Sequence, residues 1–181
     1  VNSSAEVPYR RDDLDAAEPL RRRALEIRTR LAPGSLEHAG SLANMGLLRE
    51  DRGELAEAQA FHTEALAIQE RLAPGSLDVA MTLNNLGNVA SARGLLDQAE
   101  AYFRRSLALK ELHVPGSMSS ANTLNNLGNV LRRRSRYAEA EEFLRRNLEI
   151  RERLAPGSLG MAQALAHGLL QIDGLRLAGR Q

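Results

Sequence analysis

Asn84, Asn85 and Asn88 return 41 residues later as Asn125, Asn126 and Asn129, and Asn44 and Asn122 stand at related positions of the same pattern. A carboxamide donates and accepts at once, the combination an extended peptide backbone demands. On neighbouring helices roughly 8–10 Å apart, such residues repeat at about the rise of three extended residues, each about 3.3 Å. An asparagine ladder could therefore grip a peptide at a matching stride. The same carboxamides could instead bond the backbone of an adjoining unit and satisfy buried polar groups. Both uses stay open for Asn84, Asn85, Asn125 and Asn126.

The arginines form the other cluster type: Arg21-Arg22-Arg23, Arg132-Arg133-Arg134 with Arg136, and Arg145-Arg146. Guanidinium groups clamp carboxylates in bidentate fashion, and Arg132 and Arg133 are candidates for that role. The runs at 21–23 and 145–146 read as solvated helix faces, and the run at 132–136 also suits a helix C-terminus. Catalysis has no constellation behind it. The histidines at 38, 62, 113 and 167 form no metal-spaced pair such as H-E-x-x-H, and no phosphate-cradling glycine loop is present. His113 takes the position of Leu31, Leu72 and Leu154, where it caps a helix end or fills a packing slot. Asp12, Asp13 and Asp15 read as a helix-start charge cluster. We expect no catalytic residue, no metal and no cofactor.

Composition narrows the partner classes. Basic and acidic residues number 24 and 23, so no net field draws the chain toward nucleic acid or an anionic membrane. Aromatics make up only 3% of the chain, too few for a base-stacking platform. Cysteine is absent, which excludes disulfides and thiolate metal sites. No apolar run approaches the roughly 20 residues of a membrane span, and residues 1–10 lack a signal-peptide pattern. Lys110 is the sole lysine against many arginines, a bias that suggests a GC-rich bacterial genome and, with the rest, a cytoplasmic protein.

What positions the asparagines is a tandem repeat. Pro-Gly-Ser occurs at 33–35, 74–76, 115–117 and 156–158; Leu-Asn-Asn-Leu-Gly occurs at 83–87 and 124–128, with Leu-Ala-Asn-Met-Gly at 42–46. Ala17, Ala58, Ala99 and Ala140 share one slot, and Phe61, Tyr102 and Phe143 another. A fixed period of this size means one supersecondary unit stacked on copies of itself. Proline pushes the preceding residue out of the helical region, glycine supplies the tight turn, and serine caps the next helix. The punctuation predicts helices over 14–31, 36–51, 54–72, 77–93, 95–114, 118–134, 136–154 and 159–172. Residues 1–13 read as an irregular lead-in or truncated helix because of Pro8, and Pro19 falls in the first turns of the helix that follows. Gly46, Gly87 and Gly128 sit mid-helix, where glycine costs about 1 kcal/mol against alanine. A repeated cost implies a repeated gain, which is close contact between the two helices of a unit.

Leu86-Gly87 with Ala99 and Phe103 resembles the tetratricopeptide repeat, whose pattern has Leu-Gly in the first helix and Ala-x-x-x-Phe in the second. Leu127-Gly128 with Ala140 and Met45-Gly46 with Ala58 match in part, His62 and Leu144 replacing the phenylalanine and Leu83 standing for the early tryptophan. The unit is longer than the roughly 34 residues usual in that family. Its L-N-N-L-G and A-E-x-x-x-R-R patterns resemble the long repeats of kinesin light chains and bacterial regulators, apart from a shorter A-P-G-S-L turn.

The resemblance covers 14–172 and implies an all-α, right-handed superhelical solenoid of antiparallel helix pairs. Its half repeat is 14–34, its repeats 35–75, 76–116 and 117–157, and its final helix 158–172, with a tail over 173–181. In such arrays the first, or A, helices line the concave face. That mapping selects Asn44 with Ala43 and Leu47, then Asn84, Asn85 and Asn88 with Met81. Asn122, Asn125, Asn126 and Asn129 follow, with Arg132 and Arg133 at the margin, and then Gln163, Ala166 and His167. The implied function is a non-catalytic scaffold that binds a protein or peptide in this groove, within a larger bacterial regulatory or signalling protein. The alternative is a structural segment without a peptide ligand, a homo-oligomer stacking head to tail through its uncapped ends.

Overall fold

The computed structural model describes residues 6–154 and 156, with side chains from Glu18 onward. All regular structure among them is helical: α1 (Glu6–Leu31), α2 (Leu36–Asp51), α3 (Leu55–Leu72), α4 (Leu77–Ala92), α5 (Leu96–His113), α6 (Met118–Arg133) and α7 (Tyr137–Leu154). Turns of four and three residues alternate between them, too short to let consecutive helices do anything but fold back on each other. The fold class is thus an all-α array of antiparallel helix pairs, as the repeat demands. The expected last helix and tail, 158–181, lie outside the described residues.

The chain divides into two compact units, residues 1–89 and 90–181, with the seam inside α4. In the first, α2 packs against both α1 and α3. Ala39 and Leu42 of α2 meet Ala65 and Ile68 of α3, flanked by Leu25 and Phe61. In the second, α6 packs against α5 and α7, and Phe103, Leu107, Leu124, Leu127, Leu131, Leu144 and Leu148 form the core. Each fully buried leucine or phenylalanine contributes about 1.5–3 kcal/mol.

The same capping device opens three helices. The hydroxyl oxygens of Ser35, Ser76 and Ser117 accept from the backbone N–H groups of His38, Val79 and Ser120 at 3.1, 3.3 and 3.1 Å. Each bond satisfies one of the free amides at a helix start. Glu37, in the first turn of α2, is held below the ordinary carboxylate range by its own backbone N–H and by Ser35. His38 is buried and staples the turn: its Nδ1 accepts from Gly34 N–H at 3.1 Å, which leaves Nε2–H to donate to Thr29 Oγ1 at 3.1 Å.

The opposite ends of α2, α4 and α6 reverse through a left-handed residue. Gly53 and Gly94 take φ +78°, and the third copy of the position is Ser135, at φ +60°. Left-handed backbone costs a non-glycine residue about 1–2 kcal/mol. Ser135→Gly is therefore expected to stabilise the protein by about 1 kcal/mol, less the entropy glycine adds to the unfolded chain. A denaturation midpoint unchanged or lowered in the variant would show that the serine is not strained there.

The first helix departs from expectation. Residues 6–13, read as an irregular lead-in or truncated helix, are the start of a longer helix than expected, and α1 runs unbroken from Glu6. Pro8 falls in its first turn, where an N–H has no intrahelical partner in any case. Pro19 then lies in the middle of α1 and not in its first turns, at an exposed position.

Within the α2–α3 and α6–α7 pairs, small residues bring the helices together. Ala58, Ala99 and Ala140 are fully buried. A Cβ added at Gly46 would sit 2.5 Å from the His62 ring, and one at Gly128 would sit 2.7 Å from Leu144 Cγ. These distances lie well inside van der Waals contact, so the glycines are what allow the approach.

Candidate functional site

The asparagines occupy the helix faces left over after the core is made. On α6 the buried positions are Ser120, Ala121, Thr123, Leu124, Leu127, Gly128, Val130 and Leu131. Asn122, Asn125, Asn126 and Asn129 form the complementary stripe, Asn122 exposed and the other three half-buried, continued by exposed Arg132 and Arg133. In the first unit the corresponding stripe of α4 holds Met81, exposed, with Asn84, Asn85 and Asn88 half-buried. That of α2 holds exposed Asn44 and Leu47. Each unit thus presents polar carboxamides beside an exposed apolar residue or arginine.

Some of these groups already have partners. The Asn122 Oδ1 accepts from Arg151 at 2.6 Å, and the Asn44 backbone carbonyl accepts from Arg21 at 3.0 Å. Arg133 donates to the Ser91 carbonyl and hydroxyl at 2.8 and 3.0 Å. Its guanidinium therefore brackets helix ends within the second unit. Arg132 is exposed.

The other arginines build two ion clusters, one per unit, around buried glutamates that follow the repeated alanine. Glu18 receives Arg49 at 2.9 Å, Arg22 at 2.5 Å and Arg52. Its counterpart two repeats on, Glu100, receives Arg104 at 2.9 Å, Arg136 at 2.7 Å and Arg134. Arg134 also reaches Asp97 at 2.5 Å, and Arg136 reaches Glu139 at 2.5 Å. Burial alone would raise both carboxyl groups. The surrounding arginines, Arg49 and Arg52 at Glu18 and Arg104 and Arg136 at Glu100, outweigh it and hold both below the ordinary range. Arg22 and Arg145, expected to be merely solvated, lie four residues beyond Glu18 and Glu141 and pair with them. Arg146 pairs with Glu111, and it and Arg104 lie over the Phe143 ring at 5.9 and 5.6 Å. The glutamate at the repeated A-E-x-x-x-R pattern was the available signal for these clusters.

A second link, made at two equivalent positions, ties the ends of α1 and α5 to the helices that follow them. Arg28 donates to the Glu37 carbonyl and the Ser41 hydroxyl at 3.1 and 2.8 Å. In the same slot Lys110 donates to the Ser119 carbonyl and Thr123 Oγ1 at 3.4 and 2.8 Å. Burial pushes the Lys110 ammonium down to about 8. Its place in the repeat explains it as a bracket with a shorter reach than arginine, and no nucleophile role is needed.

The histidines do not converge. His62 is fully buried, its Nε2 2.7 Å from Glu50 Oε1. His113 is exposed in the last turn of α5, which fits a helix end and not a packing slot. His167 lies outside the described residues. Among the described residues no group of three or more His, Cys, Asp or Glu could hold a metal ion, and no helix is long and apolar enough to cross a membrane.

The tetratricopeptide repeat model matches residues 2–71 and 37–112, and a second model of the same repeat matches 120–156. The chain belongs to the tetratricopeptide repeat family. In its terms α2, α4 and α6 are first helices of their repeats, and α3, α5 and α7 are second helices. Among solved structures it is similar to BtubC (BKLC) from P. vanneervenii, with a TM-score of 0.82 at 23% identity over 97% of this chain and 70% of that one. It is also similar to the nearly identical TPR-like repeats of a Podosopora anserina protein described as a kinesin light chain. There the TM-score is 0.75 at 16% identity, over 94% of this chain and 84% of that one, with the same values for a single-substitution variant. At these identities the likeness establishes the fold. No curated protein matches the chain.

Proposed function

We propose that this tetratricopeptide repeat protein is a non-catalytic scaffold whose first-helix asparagine stripes bind an extended peptide segment of a protein partner. The observation that carries the reading is the placement of Asn125, Asn126 and Asn129 on α6, and of Asn84, Asn85 and Asn88 on α4. Each trio sits half-buried on the face of its own helix that the core of its unit does not use. Half-buried carboxamides are partly ordered before a ligand arrives, so a peptide that meets them loses less entropy on binding. The alternating donor and acceptor groups suit a main chain in extended form. Exposed Leu47 and Met81 offer apolar contact for its side chains, and Arg132 favours a segment with an acidic residue at that end.

The test is Asn85→Ala combined with Asn126→Ala, titrated against a peptide selected by display on the wild-type protein. Each carboxamide forfeits hydrogen bonds worth about 0.5–1.5 kcal/mol apiece, so Kd is expected to rise roughly 30-fold for about 2 kcal/mol. The melting curve should barely move. A collapsed melting curve with unchanged affinity would make the asparagines structural brackets and overturn the reading.

A further inference from the structure

We propose that Ser135 is a phosphorylation site, the acceptor for a basophilic Ser/Thr protein kinase using a nucleoside triphosphate. Charge patterns around the acceptor are what such kinases read, and two serines of the second unit carry them: Arg104-Arg105-Ser106 and Arg132-Arg133-Arg134-Ser135-Arg136. The fold separates the two. Ser106 is 0% exposed in the middle of α5, whereas Ser135 is exposed on the turn between α6 and α7. Ser135 also stands in left-handed backbone at φ +60° where the other repeats place Gly53 and Gly94. It is the one hydroxyl side chain at that position of the repeat. Arg132 and Arg133 occupy the last turn of α6, the part of a helix that frays most readily, so the basic run can open to meet an acidic kinase groove.

In the transfer, the Ser135 Oγ–P bond forms as the bond between the γ-phosphorus and the β,γ-bridging oxygen breaks. The hydroxyl proton passes to the kinase base, and the nucleoside diphosphate leaves. The product brings a charge of about −1.5 to −2 and three acceptor oxygens between Arg134 and Arg136. Those two arginines are the ones that neutralise Glu100, which is 7% exposed, and that also reach Asp97 and Glu139. A phosphoserine flanked by them competes for their guanidinium groups and leaves Glu100 with Arg104 alone. The modification therefore loosens the link between α5 and the α6–α7 pair.

The test incubates the native protein with a basophilic Ser/Thr kinase and ATP, beside heat-denatured protein and Ser135→Gly, which keeps the backbone that Gly53 and Gly94 adopt. The expected result is one phosphoryl group on the native protein, placed at Ser135 by fragmentation mass spectrometry and absent from Ser135→Gly. The phosphorylated protein should melt several degrees below the unmodified one. Modification confined to denatured protein at Ser106, or persisting in native Ser135→Gly, would overturn the proposal. An unshifted melting curve after full modification at Ser135 would overturn the coupling to Glu100.

Discussion

Gly128→Leu is expected to lower the melting temperature by roughly 6–12 °C, the shift for about 3 kcal/mol in a chain of this size. An ordinary exposed helical glycine behaves oppositely, since replacing it by alanine gains about 1 kcal/mol of helix propensity. Here the first atom of any side chain already lands 2.7 Å from Leu144 Cγ and 2.9 Å from Cδ2, with the Ala140 carbonyl 3.4 Å away. Leu144 is buried among the second unit's core residues and has nowhere to retreat. Even Gly128→Ala should therefore destabilise, because overlap with a leucine branch outweighs the propensity gain. A double-mutant cycle isolates the cause. Leu144→Ala alone leaves a cavity and costs about 2–5 kcal/mol, but in that background Gly128→Ala should become neutral or favourable. If Gly128→Ala destabilises equally in both backgrounds, the contact with Leu144 is not what the glycine serves.

That glycine was legible in the sequence for a physical reason: a helix breaker repeated at three equivalent positions has to be offset by something repeated. The same logic exposed the helix ends. Pro-Gly-Ser combines a residue that disfavours helix before it, one that tolerates positive φ, and one that caps, and the observed bounds of α2 to α7 fall within a residue or so of the expected ones. Proline misled at α1. Pro8 and Pro19 were weighed for the hydrogen bonds they lack, but the cost depends on where the helix begins, and that lay upstream of the readable repeat. Ser135 was hidden differently, since its left-handed backbone becomes apparent only by aligning it with Gly53 and Gly94.

The candidate site divides along the same line. The choice of the asparagine face came from the resemblance to tetratricopeptide arrays, and the 41-residue repeat adds only that equivalent positions fall on equivalent helix faces. How the polar groups are shared did not follow. Arginine runs adjacent in sequence look like solvated clusters, yet Arg134 and Arg136 bind Glu100 from 34 and 36 residues away, and Arg133 reaches back 42 residues to Ser91. Long arginine side chains choose partners by tertiary proximity, and neighbouring letters do not encode it. The same holds for Asn122, whose carboxamide oxygen is taken by Arg151.

Glu100→Ala is expected to cost about 2–3 kcal/mol, less than the 3–5 typical of a broken buried pair because the three arginines reach solvent and can rehydrate. The pH dependence shows whether the charge is responsible. Burial works to raise the Glu100 carboxyl, but the hydrogen bonds from Arg104 and Arg136 outweigh it, so the folded value lies below the unfolded one. A group of that kind contributes its full stability above the unfolded glutamate value of about 4.3, and that contribution is lost as pH falls through the folded value. Wild-type stability should therefore drop on acidification in this window, and Glu100→Ala should follow a flatter curve that approaches the wild type at the acid end. Glu18 repeats the arrangement in the first unit with Arg22, Arg49 and Arg52, so the Glu100→Ala variant should still retain part of the wild type's acid sensitivity. Glu100→Gln separates charge from shape: it keeps the side-chain length, as Gln59 does in the same slot of the preceding repeat, but cannot neutralise Arg134 and Arg136. It should match Glu100→Ala in its pH profile while losing less stability. Parallel curves for the wild type and both variants would mean that Glu100 acts through packing and that the ion cluster adds nothing to the fold.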